Sequence, residues 1–262
     1  MYLCDKDIYK KLPEINFVAN NSENPFVPDD QIQPCSVDLR LDNIFWIPRK
    51  RFTIDLRKTK LLEIEPRRYY KKVILNKGEH ITLKPGKLLL GRIYEEFTIP
   101  NECAGKISGR SSFARLGIMI HLTGDFINPG YRGHMPLQLI NFGNNPIKIF
   151  PYIPICQLQL VKVSDLPNRL YGVSELQSKY MNDDGGPSYW WRDKRIKKLQ
   201  KALGEVNVAI SIQESILQII GKQEPEVIER LEKRLSKCSH DDLEAGSGGR
   251  AGSEGQGSHL EL

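Results

Sequence analysis

The chain has 262 residues, of which 40% are hydrophobic and 27% charged, with a formal net charge of +6 and a pI near 9.0. This is the balance of a soluble globular protein with room for one ordinary domain and an appendage. The small positive surplus suits a polyphosphate ligand or nucleic acid and decides neither. No apolar run approaches the roughly 20 residues needed to span a bilayer, so no membrane role is expected. Five cysteines (Cys4, Cys35, Cys103, Cys156, Cys238) are scattered without a CxxC pair, which argues against a disulfide framework or a zinc site. The opening residues carry charge throughout and have no apolar signal core, so a cytoplasmic location is expected.

In chain order, Leu3, Ile8 and Leu12 among charges predict a short amphipathic helix over 3–12, with Pro13 ending it. Residues 13–34 read as loop. Val37, Leu39 and Leu41 alternate with Asp38, Arg40 and Asp42, predicting one half-buried strand from Ser36 to Ile47. Short apolar runs follow at Phe52–Leu56, Lys72–Leu75, His80–Leu83, Leu88–Ile93 and Phe97–Ile99, punctuated by turns such as Asn76-Lys77-Gly78 and Lys84-Pro85-Gly86. Later strands are expected over 134–142, Ile147–Ile149 and Ile155–Val163. Many short strands with such punctuation predict an all-β sandwich or jelly roll.

Between these runs lies Ser108-Gly109-Arg110-Ser111-Ser112-Phe113-Ala114-Arg115-Leu116-Gly117. Two adjacent hydroxyls, backbone N–H groups and two arginines can meet phosphate oxygens. The same spacing also suits a serine cap on a short helix with two solvated arginines. Asp125 reads as a solvated turn residue, and His134 as a solvent-facing residue inside the strand that follows. Residues 164–191 are polar and loop-like. From Arg192 onward Ile196, Leu199, Leu203, Val206, Ile210, Leu217 and Ile220 recur at spacings of three and four, broken by Gln213, which predicts a helix of about 28 residues. Val227, Ile228, Leu231 and Leu235 predict a shorter second helix. The basic flank Lys194, Arg195, Lys197 and Lys198 reads as a solvated face or oligomerisation seam rather than a nucleic-acid site. The Gly/Ser-rich residues 239–262 are expected to be disordered.

Taken together these motifs resemble the dCTP deaminase branch of the dUTPase superfamily, whose pattern runs GRSS-x-AR-x-G, H-x-T, D-P-G-aromatic and L-E-x-x-N. The corresponding residues here are Gly109 to Gly117, His121-Leu122-Thr123, Asn128-Pro129-Gly130-Tyr131 and Leu137-Gln138-Leu139-Ile140-Asn141. Leu3 to Ile8, Ser36 to Leu41, Gln157-Leu158 and Lys179-Tyr180 with Gly186-Pro187 extend the match over roughly residues 1–190. The resemblance implies a distorted jelly roll assembled as a homotrimer, with nucleotide sites between subunits, and a magnesium-bound deoxynucleoside triphosphate as ligand. It divides the chain into a nucleotide-binding domain (1–191), a helical extension (192–238) through which a protein partner could dock, and the tail. Carried over by position, Arg110, Ser111, Ser112 and Arg115 would hold phosphates. Pro136, Leu137 and Gln138 would face the pyrimidine, and Tyr171 and Lys179 would close over the nucleotide. The H-x-E…P-C-x-x-C ligand set of zinc deaminases is not present, since the sequence has no P-C-x-x-C.

Two expected carboxylates are amides. Family members place glutamate where this chain has Gln138, and aspartate where it has Asn128. A carboxylate can take a proton from water and return it to the leaving amine; an amide cannot near neutral pH. A third departure is Asp183, where the family's lid often carries glutamine. Three readings follow: a nucleotide-binding protein with reduced or lost deaminase activity that senses occupancy, an active deaminase forming dUTP or going on to dUMP, and an oligomeric module working through its C-terminal helices.

Overall fold

A computed structural model describes residues 1–19, 21–49 and 69–223. The strand expected over Phe52–Leu56, the second helix and the Gly/Ser-rich tail lie outside the described residues. The elements in order are α1 (Asp5–Ile15), α2 (Pro28–Gln31), β1 (Ile32–Gln33), β2 (Ser36–Arg40), β3 (Ile44–Pro48), β4 (Tyr70–Ile74), β5 (Ile81–Leu83), β6 (Leu88–Arg92) and β7 (Phe97–Thr98). There follow β8 (Cys103–Gly109), α3 (Ser111–Ala114), β9 (Ile118–Met119), β10 (Phe126–Ile127), β11 (Arg132–Gly133), β12 (Pro136–Asn141), β13 (Ile147–Ile149), β14 (Pro154–Lys162) and α4 (Lys194–Gln223). Contacts divide the chain into one unit ending at Lys197 and a second beginning at Lys198.

The strands form two five-stranded antiparallel sheets, ordered β1-β2-β14-β8-β10 and β4-β3-β6-β12-β9, with two small pairs, β11-β7 and β13-β5. This is the expected all-β architecture, with α4 as its helical extension. Alternate residues of each sheet meet in one core, Leu39, Ile107 and Leu158 from the first and Phe45, Leu89, Leu137 and Leu139 from the second. Each such side chain contributes about 1.5–3 kcal/mol on leaving water.

Two expectations need correction. The single strand expected from Ser36 to Ile47 is two strands in different sheets. Asp42 makes the break: its carboxylate accepts from Arg92 Nε at 2.5 Å and from the Asn43 N–H at 2.6 Å, which turns the chain from one sheet to the other. Pro13 does not end α1. The helix runs to Ile15, whose fully buried side chain holds the last turn on the core, and it stops at Asn16 in the left-handed region, φ 48°.

Asn141 closes the β12 motif as a structural latch. Its amide donates to the carbonyls of Leu83 (3.0 Å) and Asn145 (2.8 Å), and its oxygen accepts from the Gly143 N–H (2.9 Å). Asn141→Leu would strand buried backbone groups, so it is expected to cost about 2–4 kcal/mol, read as a fall in thermal midpoint.

Candidate functional site

The strand β12 organises the site. Its residues alternate between the core, which takes Leu137, Leu139 and Asn141, and the opposite face, which carries Pro136, Gln138 and Ile140. Pairing with β6 and β9 on either side holds it rigidly, with Gln138 opposite Leu90. A cavity of about 370 Å³ opens beside that outer face, and Pro136, Gln138, Asn128, Tyr171, His121 and Asp183 are among its walls. The fold therefore brings together Asn128, Pro136, Gln138 and Tyr171. Leu137 is corrected: with odd-numbered positions facing inward, its side chain is wholly buried in the core.

The Gln138 Oε1 accepts a hydrogen bond from the Leu122 N–H at 3.4 Å, tying β12 to the loop carrying His121 and Thr123. Both His121 ring nitrogens are buried without a hydrogen-bond partner, and the residue also borders a second cavity, of about 570 Å³. Gly109, Ala114, Thr123 and Asp125 line that second cavity. Asp125 is half-exposed and lies 3.6 Å from Lys106 Nζ.

Asn128 begins a tight turn. Its carbonyl accepts the Tyr131 N–H at 3.2 Å, and Gly130 adopts φ 82°, a conformation that favours glycine. The Pro129 carbonyl accepts the Tyr171 N–H at 2.9 Å, which clamps the later segment onto this turn. That segment is laced by tyrosines: Tyr171 Oη accepts the Tyr180 N–H (3.3 Å), and Tyr180 Oη accepts the Tyr189 N–H (3.1 Å). Tyr131 is buried against the Tyr171 ring, with centroids 5.9 Å apart, and donates to the His134 carbonyl at 3.1 Å. Burial pushes the Tyr131 hydroxyl far above its ordinary range, so it stays a neutral donor.

Asp183 is held in place by its backbone. Its carbonyl accepts the His134 N–H at 2.9 Å, and Asn182 donates to the Arg132 carbonyl at 2.8 Å, extending β11 by a parallel bridge between Gly133 and Asp183. Glycine is required at 133: φ is 145°, and a Cβ there would lie 2.8 Å from the Asp183 nitrogen. Arg92 Nη1 donates to the Asp184 carbonyl at 2.6 Å. Burial first, and the neighbouring Asp184 second, raise the Asp183 carboxyl to about 6. His134 is buried rather than solvent-facing, because β12 starts only at Pro136; its Nδ1 lies 3.1 Å from the Ile93 carbonyl. Burial, then Arg92, lowers its pKa.

Arg110, Ser111, Ser112 and Arg115 of the phosphate motif are not among the walls of the Gln138 cavity. The motif follows β8, with Ser111 and Ser112 exposed on the four-residue α3 and Arg115 exposed just after it. No serine side chain caps that helix; Arg110 occupies the cap position without a side-chain bond to it. Arg110 instead turns back onto the body, donating from Nη1 to the Pro154 carbonyl (2.8 Å) and lying 3.3 Å from Asp38. Burial raises the Asp38 carboxyl and Arg110 partly offsets this. Lys179 is likewise not on the cavity wall. Its Nζ lies 2.8 Å from Asp193, whose carboxylate also accepts the Arg195 N–H at 2.9 Å, as a helix cap does at the start of α4. Among the described residues no group of three or more His, Cys, Asp or Glu is placed to hold a metal, and no helix is long and apolar enough to cross a membrane.

The residues on the cavity or beside it that sequence reasoning did not name as binding or catalytic are His121, Tyr131, Tyr180 and the lid residue Asp183. The H-x-T signal marks the first, and the departure from glutamine marks the last.

Comparison with known proteins completes the description. A family model described as dCTP deaminase-like matches residues 4–163. A dUMP-forming dCTP deaminase of Rhodococcus erythropolis is 39% identical over 190 residues, covering 71% of this chain and 93% of the relative. One from Mycolicibacterium gilvum is 36% identical with the same coverage. Among solved structures, a 2′-deoxycytidine 5′-triphosphate deaminase from Agrobacterium tumefaciens aligns with a TM-score of 0.48 at 21% identity. That alignment covers 62% of this chain and about half, 48%, of the other. With the family model spanning well over half its length, this chain belongs to the dCTP deaminase-like family.

Proposed function

We propose that the chain binds a deoxypyrimidine triphosphate, dCTP or dUTP, with its deaminase chemistry largely lost. The observation that carries this reading is Gln138. It stands on a rigid strand at the cavity wall, its oxygen already accepting from the Leu122 N–H. Converting dCTP and water to dUTP and ammonia needs a group that takes a proton from the attacking water and returns it to the departing amine. An amide keeps the hydrogen bond but cannot carry the proton, and Asn128 has the same limitation. The base would rest against Pro136 and Gln138. The phosphates would meet Ser111, Ser112, Arg110 and Arg115 of a neighbouring copy in a homotrimer, which accounts for the absence of these residues from the cavity wall within one chain. Magnesium would arrive with the triphosphate, since that ion is commonly held through substrate phosphates and water.

The Lys179–Asp193 pair supports a sensing role. Phosphates drawing Lys179 toward the ligand would release the Asp193 carboxylate that caps α4, passing occupancy to the helix. Titration of the protein with dCTP, dUTP and dTTP in magnesium, by calorimetry with ammonia measured on the same sample, tests the reading. Absence of heat with all three at millimolar concentration would rule it out.

Asp183 favours a second reading, an active deaminase with a relocated base. It is a buried carboxyl on the same cavity, and a value of about 6 suits general acid–base work near neutrality. Asp183→Asn separates the two readings. Any genuine turnover should vanish if Asp183 is the base, and remain at its low background if it is not. The stability effect has a definite sign. The folded-state value lies above the ordinary 3.8, so the native protein binds this proton more tightly and loses stability as pH rises from about 4 through 6. Asp183→Asn should therefore gain up to about 3 kcal/mol at pH 7–8 and nothing below pH 4, as measured by denaturant unfolding.

A further inference from the structure

The helix α4 carries a pattern the nucleotide site does not use. Counting from Ile196, one set of positions recurs at alternating steps of three and four and is apolar but for Gln213, while Val208, Ile212 and Ile219 lie off it. Ile196, Leu203, Ile210 and Leu217 occupy one heptad position (a), and Leu199, Val206, Gln213 and Ile220 the other (d). A straight helix of 3.6 residues per turn drifts about 20° per heptad against such a repeat. Four heptads in one register therefore keep one seam facing a partner only if the helices supercoil. In the single chain three seam side chains stand in water, Leu199 at 60% exposed, Leu203 at 40% and Ile210 at 48%.

Charge selects the occupant. The positions flanking the seam are Gln200, Asn207, Glu214 and Gly221 on one side and Ala202, Ala209, Ile216 and Gln223 on the other, with one ionisable residue in eight. Lys197, Lys198 and Lys201 are exposed at positions away from the seam. An acidic partner would seek the lysines, whereas an identical helix meets no like-charge repulsion at the seam. Ala202, Ala209 and Ile216 widen the apolar stripe on one side, and the a/d set mixes Ile and Leu in place of the β-branched a with Leu d that favours two strands. Gln213 puts one polar layer in the core, a device that fixes register among identical helices.

We propose that α4 pairs with the α4 of two further copies as a parallel, in-register, three-stranded coiled coil. The three-strand count rests on the trimeric reading of the nucleotide domain given above; the parallel self-pairing rests on the heptads alone. In register, each residue at position a lies beside its own counterparts.

Full-length protein carrying Leu203→Cys, at a seam position, should form interchain disulfides under mild oxidation. Ser211→Cys, on the outer face, should not rise above the wild-type background from the native cysteines. A second variant, Leu203→Asp with Ile210→Asp, should lose most of the α4 contribution to the 222 nm ellipticity. Light scattering on wild type should give a mass of three copies. A three-copy mass with equal cross-linking at 203 and 211 would overturn the coiled coil and leave the trimeric nucleotide domain standing. Cross-linking at 203 with a two-copy mass would overturn the three-strand count and the trimeric reading together. Unchanged ellipticity in the double variant would also contradict self-pairing.

Discussion

Gln138→Glu is expected to raise dCTP deamination about 10²–10⁴-fold, the usual worth of a positioned general acid–base group. The argument is geometric. Position 138 is fixed by the pairing of Pro136 to Ile140 with β6, so a glutamate there inherits the same orientation toward the cavity. Its carboxylate can still accept from the Leu122 N–H, as the amide oxygen does at 3.4 Å, and so preserves the loop. What changes is chemistry alone: a group of nearly the same shape gains the ability to take and return a proton. Ammonia release by the variant and the wild type, compared at saturating dCTP, measures the gain. A variant as inert as the parent would mean that Asn128 or another part of the site is also limiting, and Gln138→Glu combined with Asn128→Asp would then locate the defect.

Arg115→Ala is expected to weaken triphosphate binding about tenfold to a hundredfold while leaving stability nearly untouched. A hydrogen bond to a charged group contributes about 1.5–3 kcal/mol, and each 1.4 kcal/mol is tenfold in affinity. Arg115 is exposed at the end of α3, so its removal exposes no core and strands no buried partner. Arg110→Ala should behave differently. That guanidinium faces Asp38, whose carboxylate is 10% exposed, and it donates to the Pro154 carbonyl, so stability as well as affinity should fall. Calorimetry and thermal unfolding of the two variants separate a phosphate contact from a structural one. Raising the salt concentration should weaken binding to wild type more than to Arg115→Ala.

Much of the fold was legible in the residue pattern, for physical reasons that differ by element. The period-two alternation of Pro136 to Asn141 and of Ile155 to Val161 marks strands with one face in a core, and the heptads after Arg192 mark a helix. The strand Cys103–Gly109 gave no such signal, because Gly105 stands where bulk would advertise burial. A Cβ at Gly105 would sit 2.7 Å from Ile99 Cδ1, so a larger residue there would displace the Ile99 side chain. The division of Ser36–Ile47 between two sheets depends on the Asp42–Arg92 pair, 50 residues apart in sequence, which no local pattern encodes. The same holds in the site. Gln138, Asn128 and Tyr171 follow from motif order, and the structure gathers them. The ties of Arg110 to Asp38 and Lys179 to Asp193 are long-range and engage side chains that looked ligand-facing, while the backbone bridge of Asp183 to Gly133 is a long-range tie that leaves Asp183 on the cavity wall.

The central claim is retention of nucleotide binding with loss of turnover, and one measurement tests it directly: calorimetric titration of the wild-type protein with dCTP and magnesium, followed by ammonia determination on the same sample. Saturable binding with no ammonia above background is the predicted result. Stoichiometric or greater ammonia release within the titration, or no saturable heat at millimolar dCTP, would contradict it.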